Sequence, residues 1–392
     1  MNCVRRPEKC LRRFVLFAAA MVALSLAGAS SALAQCTDSW TGAGGDNNWS
    51  NGANWSNGME PGNSDQVCIQ KSGAAVLLDV SDGVADLTLG SSDSLTFPTV
   101  TNTNNGLNIN GSSITNSGQI ILAVPVQFGT TSLGFSSSGK VTLSGRGTIT
   151  LNANSFGGDS IGGSATLVNR STIQGAGGFD MTFNNAKNGV VNANESGVQL
   201  VVGRNQSQGA STNTGLMEAT HGGQLAIGSI QLNNVGGTIA ASGTGSYVIF
   251  ADQGQGGQKI TGGTFTSSSG GVIYAYSGNT IIDGTTSTVN NKGTLSIPGG
   301  GLPYFQGTMN NTGTFQILAN TGGGATLNIG SGQTFTFSGS GNLTMGDGTI
   351  NSYNNQNNIS GGGTFTNQQI VQGTGFMALV RQGLKTGPNV WI

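Results

Sequence analysis

Charge is scarce in this chain. Only 8% of its 392 residues are Asp, Glu, Lys or Arg, against about 25% in ordinary soluble domains. The formal net charge is −1, which removes the basic footprint a nucleic-acid binder needs. There is one histidine, His221, so no multi-histidine metal site can form within the chain. Proline contributes 7 residues and glycine 68. The glycines follow no three-residue period, which excludes collagen. Valine, isoleucine, leucine and phenylalanine recur throughout at near-zero net charge, the opposite of a charged disordered chain. Beyond Ala34 no apolar run approaches the ~18 residues of a membrane-crossing helix.

The segment from Met1 to Ala34 reads as an export signal. Arg5, Arg6, Lys9, Arg12 and Arg13 form a basic start, and Phe14 to Leu26 an apolar stretch. Ala32-Leu33-Ala34 supplies the small residues of a cleavage site, so cleavage is expected after Ala34. A lipoprotein reading around Cys36 is weaker, because Gln35 stands where a small residue belongs. Removing the signal takes five of the 15 basic residues and one of the 16 acids, leaving a net charge of −5. Cys3 and Cys10 leave with it. Cys36 and Cys68 remain for an oxidising exterior and are expected to pair. Closing that loop is worth roughly 3–4 kcal/mol by the chain-entropy model.

The body is repetitive. Asn, one or two small residues, Gly and Thr precede alternating apolar positions at Asn116 (NSGQIIL), Asn233 (NNVGGTIAA), Asn290 (NNKGTLSI) and Asn310 (NNTGTFQIL). Looser copies begin at Asn169, Asn188, Asn213 and Asn367. Asn and Gly tolerate left-handed backbone angles and make the turn, and the alternation makes a short strand. Strands this short bury an apolar face only by stacking coil on coil. The expectation is an all-β, right-handed parallel β-helix with asparagine ladders along its axis. Spacings near 20 residues give coils of 19–21 residues, about 15 of them in a rod near 70 Å long. The stretches from Asn234 to Asn291 and from Asn311 to Asn367 then count as three coils each. Asn291 and Asn311 should lie on adjacent coils, and Ile239, Leu295, Phe315 and Phe365 should face one core. A longer repeat overlies the first. KVTLSGRGTITL (140–151) matches TFTFSGSGNLTM (334–345) position for position, and TLVNRSTIQGAGGF (166–179) matches TFTNQQIVQGTGF (364–376).

Residues 35–70 differ from the repeats of 71–376. Trp40, Trp49 and Trp55, three of the four tryptophans, stand in W-TGAGGDNN-W-SNGAN-W-SNGMEPGNSDQVCI, followed by VADLTLG at Val84 to Gly90. This pattern resembles the tryptophan-rich N-terminal module of bacterial secreted β-solenoid proteins, the adhesin-like and autotransporter-passenger-like group. The resemblance implies export, a β-helix and a surface or matrix role; it does not imply a catalytic site. Residues 376–392 do not resemble the membrane barrel that closes autotransporters, so self-translocation is not expected. On physical grounds the tryptophans cover the open end of the first coil; the competing role is sugar stacking on exposed indoles. The tail 377–392, interrupted by Arg381, Lys385 and Pro388, reads as a broken-off second copy. An open last coil would associate end to end, unless Trp391 covers it.

Other candidate chemistry is sparse. Gly158-Asp159-Ser160-Ile161-Gly162 fits the G-x-S-x-G string of a nucleophile elbow, but chance supplies about one such match, and a serine-bearing turn is the expectation. His221-Gly222-Gly223 shares a little with β-helical polygalacturonases, without their paired aspartates; an exposed turn histidine is expected. Asp46, Asp65, Asp79, Asp82 and Asp86 are candidate ligands for a structural Ca²⁺, at a spacing that fits no standard calcium loop. No other cofactor is expected. The role expected is a secreted or cell-surface rod, non-enzymatic and adhesin-like or structural, touching glycans or other surfaces multivalently. A polysaccharide lyase or hydrolase is the rival, and a fragment of a longer surface protein a third reading.

Overall fold

The computed structural model describes residues 36–98, 104–123, 129–153, 158–203, 209–251, 257–321, 323–346, 356–379 and 385–386. The signal sequence and its cleavage site lie outside them, as does most of the tail, including Trp391. The chain divides after Cys36 into two units, and the second, 37–392, holds every strand among the described residues.

That second unit is a parallel β-solenoid with three strands per coil. Strands Gln66–Ile69, Ala75–Leu77 and Asp82–Val84 open its three faces. Each is continued in parallel register one coil on, as in Gln66↔Asp86, Ala75↔Ser94 and Asp82↔Leu107. Layers open at Gln66, Asp86, Ser113, Lys140, Thr166, Phe183, Ser211, Gln231, Gln258, Thr280, Tyr304, Ala325, Asn357 and Phe376. These fourteen layers, thirteen steps, give a length of about 62 Å at ~4.8 Å per step. The single helical turn among the described residues is the three-residue Gly52–Asn54.

Side chains alternate as the sequence pattern requires. In Thr148–Asn152, Ile149 and Leu151 point inward, and Thr148, Thr150 and Asn152 point away from the core. One hydrophobic cluster runs without a break from Trp40 to Phe365 and includes Ile239, Leu295 and Phe315, all fully buried. Each such side chain contributes roughly 1.5–3 kcal/mol, which no three-residue strand collects alone.

The coils are longer and less uniform than expected. The shortest step pairs Asn169 with Asn185, and the longest pairs Leu327 with Ile359, twice as far along the chain. The rod therefore has fewer coils than the 15 expected. The reason is that the asparagine motif marks only one of three corners, and the other two take connections of any length.

The motif also changes corner. Between the first and second faces, Asn169 donates to Asn185 (2.9 Å), Asn185 to Asn213 (2.8 Å) and Asn213 to Asn234 (2.7 Å). All four are fully buried, and Asn185, not Asn188, is the rung after Asn169. Further along, the ladder stands between the second and third faces. There Asn291 donates to Asn311 (2.6 Å) and Asn311 to Gln369 (2.9 Å). Asn291 and Asn311 do sit on adjacent coils. The switch occurs in strand Thr280–Asn291, whose start pairs on the first face and whose end pairs on the second. The stretch from Asn234 to Asn291 is thus two coils plus one face, not three coils. The rung two coils beyond Asn311 is Gln369 rather than Asn367.

Candidate functional site

The cap is itself a partial coil. Asp38–Ser39 pairs in parallel with Val67–Cys68, and Asn48 bridges to Leu77. Its interior is filled by indoles. Trp55 meets Trp40 and Trp49 edge-on at centroid distances of 5.0 and 4.7 Å. Trp49 Nε1 donates to Asp82 Oδ2 (2.6 Å), and Trp55 Nε1 to the Trp49 carbonyl (2.7 Å). All three residues are at most 5% exposed, so no indole face is open for a sugar to stack on. Cys36 and Cys68 are both disulfide-bonded.

The five aspartates considered for calcium do not converge. Asp46 accepts from Asn54 and Asn51, Asp65 from Thr37 and the Gly62 amide, and Asp79 from Ser50. Asp82 takes the Trp49 indole, and Asp86 the amides of Ser112 and Ser113. Each carboxylate satisfies donors at its own corner. Among the described residues no three His, Cys, Asp or Glu side chains are grouped to hold a metal ion. His221 is exposed on a turn at φ +55° and contacts Thr220 through Nδ1 (3.0 Å).

The G-x-S-x-G string is strand Gly158–Gly163, neither an elbow nor a turn. Ser160 pairs across to Ser132 and Gly178 on the third face. The unusual residue there is Asp159, which points inward and is 1% exposed. Burial pushes its pKa up to about 6, against hydrogen bonds from Thr131 Oγ1 and the Asn152 amide. Asp283 is equally buried but paired with Lys259 at 2.6 Å. Burial would raise its pKa; Lys259 and the hydroxyl and amide of Thr285 outweigh that and hold it at about 2. Nothing in the sequence distinguishes these two aspartates from the exposed ones.

The feature that sequence reasoning missed is made of tyrosines. The chain has five, and four lie between residues 247 and 304. The large side chains buried to under 2% exposure are Trp49 and phenylalanines, with no tyrosine among them. Tyr274 and Tyr276 flank buried Ala275, and Leu302 and Tyr304 flank buried Pro303, and all four are at least partly open to solvent. Tyr276, Leu302 and Tyr304 are 42%, 46% and 40% exposed. The Leu302 amide bonds to the Tyr276 carbonyl (3.0 Å), stacking the two on successive coils. Tyr247 packs edge-on against Tyr274 at 5.7 Å and donates its hydroxyl to Gln224 Oε1 (2.6 Å). Tyr304 is the register partner of Ile281. Beside them lies a groove of about 300 Å³ lined by Gly257, Gly278, Asn279, Ile281 and Tyr304. A second, more polar groove of about 270 Å³ lies near the cap, lined by Asp82, Asn105, Asn108 and Ser132 among others. The fold and this ridge are the chain's own guide to function: no family model matches it, and no curated protein or solved structure does.

Proposed function

We propose that the chain is an exported, non-enzymatic β-solenoid rod that contacts glycans or other surfaces through many weak contacts, outside the cell or on its surface. What supports this reading most is one row of positions on the third face, turned away from the core. It runs Gly106, Ser132, Ser160, Gly178, Val201, Ala226. It continues through Ile249, Tyr274, Ser296, Gln316, Thr344 and Gln372. Twelve successive layers pass without a charge, and most of these positions are at least partly open to solvent. A regular uncharged surface on a rigid scaffold suits repeated shallow contact, where avidity grows with the number of sites engaged.

The test is incubation of the purified chain with a panel of neutral and acidic polysaccharides. Retention on at least one polymer, with no oligosaccharide released, is the expected result. Released oligosaccharides that disappear in an Asp159→Asn or His221→Ala variant would replace the rod with an enzyme.

A further inference from the structure

We propose that the tyrosine ridge and its groove form a binding site for a neutral polysaccharide laid obliquely across the coils. This rests on the glycan-contacting reading above and assigns it a place and a ligand class.

The segregation of aromatics is the first argument. Among the described residues the core is filled with phenylalanine and the four tyrosines lie outside it, Tyr274 on a row that elsewhere carries Gly, Ser, Val, Ala, Ile, Gln and Thr. Exposed aromatic area is unfavourable in water unless a partner covers it. A tyrosine offers a flat apolar ring with a polar rim. A pyranose offers the complement, an apolar C–H face edged by hydroxyls.

Charge is the second argument. Among the described residues, the ionic groups beside Ile281 of the groove are Lys259, its register partner, and Asp283, two positions along the same strand. They are bonded to each other at 2.6 Å, so neither is left to attract a polyuronate or a cationic chain. Asn279 and Gln224 supply amides for hydroxyl groups.

Shape is the third. The ridge climbs from Tyr247 through Tyr274, Tyr276 and Leu302 to Tyr304, three steps of the solenoid and about 14 Å along the axis, while shifting from the third face to the first, a path long enough for a short oligosaccharide. The groove, about 300 Å³, is at the small end of ligand sites. Its floor is kept low by glycine. A Cβ added at Gly278 meets nothing closer than Leu302 Cβ at 3.7 Å. A side chain there would fill the groove without disturbing the fold.

The test uses the full exported chain, with a soluble glucan, a soluble mannan and a polyuronate as probes in titration calorimetry. Wild-type protein should bind at least one neutral polymer more tightly than the polyuronate, with little dependence on salt. Tyr276→Ala and Tyr304→Ala should each weaken binding about tenfold, the loss typical of one aromatic anchor. Tyr304→Phe should stay within about twofold, because the ring face survives. Gly278→Leu should weaken binding about tenfold with an unchanged circular dichroism spectrum. If wild type binds neutral polymers and all four variants bind equally well, the ridge is not the site, while the rod reading stands. If wild type binds no polysaccharide, both fall. Preference for the polyuronate, weakened by salt, would overturn the neutral class. Self-association in sedimentation that the tyrosine variants abolish, without glycan binding, would make the ridge an interface between copies of the chain.

Discussion

The stretch around the ladder Asn169–Asn234 and the stretch around Asn291–Gln369 use the same motif on different corners. Val141 and Phe335, equivalent positions of the two matching segments, show the consequence. Val141 lies on the first face in the fourth layer, and Phe335 on the second face in the twelfth. The offset is eight coils and one face. The repeated object is therefore not a coil but a strand–corner–strand segment. All three faces offer it the same surroundings, an apolar interior on one side and water on the other, so it can be carried from one corner to the next. Strand Thr280–Asn291 absorbs the rotation by running through two faces with a register shift between Gly284 and Val289.

If the two stretches share local chemistry but differ in packing, core truncation should separate them most. Phe335 contacts Phe305, Phe337 and Phe365 at centroid distances of 5.3 to 5.9 Å; its counterpart Val141 has no ring to stack. Phe335→Ala should cost about 4 kcal/mol and Val141→Ala about half as much, read as denaturant midpoints. Equal losses would mean that the aromatic stack adds nothing to the second stretch.

The glycines test the shared part. Gly145 (φ +100°) and Gly339 (φ +109°) hold the same motif position in the two segments. A Cβ would fall 1.9 Å from the Asn116 carbonyl oxygen at the first and 2.2 Å from that of Asn311 at the second. Alanine at either should cost about 3 kcal/mol, from backbone strain and collision. Losses that differ by more than about 1 kcal/mol would show that the corner, and not the motif, sets the constraint.

This comparison also explains what can be read in the sequence. Thr-Ile-Thr-Leu announces a strand with Ile149 and Leu151 inside, because alternation is a property of the strand itself. Asn-x-Gly announces a corner, because left-handed angles are local. Which of three corners it makes is not local. Asn234 and Asn291 look alike, and only the intervening pairing reveals the rotation. The tryptophan-filled cap is legible from the clustering of Trp40, Trp49 and Trp55 before the first full coil. The tyrosine ridge is not, since Tyr274 and Phe265 occupy similar alternating strings and differ only in which parity faces water. Asp159 is hidden beside Ser160 for the same reason: its inward direction is set by the third face, not by its neighbours in sequence.

The ladders themselves should respond alike and more mildly. Asn213 accepts from Asn185 and donates to Asn234 and the Thr238 carbonyl. Asn291 donates to Asn311 and the Thr314 carbonyl. Alanine leaves buried partners unsatisfied in each case, at about 2–3 kcal/mol. Asn291→Ala should be the milder of the two, because Asn213 has ladder partners on both sides. A larger loss at Asn291 would indicate that the rotated ladder holds the second stretch more tightly than the first.

The smallest effect, and the one with opposite signs in the two stretches, is the response to pH. Asp159 in the first stretch is held at about 6, above the ordinary 3.8. The folded chain then binds its proton more tightly than the unfolded chain, so stability falls as pH rises from about 4 to 6 and stays low above that. The full shift corresponds to roughly 3 kcal/mol, and partial solvation brings it to about 2 kcal/mol. Asp283 in the second stretch is held at about 2. Its contribution is complete above about 4 and is lost as pH falls toward 2. Asp159→Asn should therefore flatten the profile between pH 4 and 6 and stabilise the chain at pH 7. Its amide can donate one N–H to the Thr131 hydroxyl and accept from the Asn152 amide, so both present contacts are kept. Asp283→Asn should destabilise at pH 7, because Lys259 loses its counter-charge. Denaturant midpoints at pH 4, 5, 6 and 7 decide the matter. Shifts of the same sign for both variants at pH 7 would mean that the two buried carboxylates are in equivalent surroundings, and this contrast between the stretches would be lost.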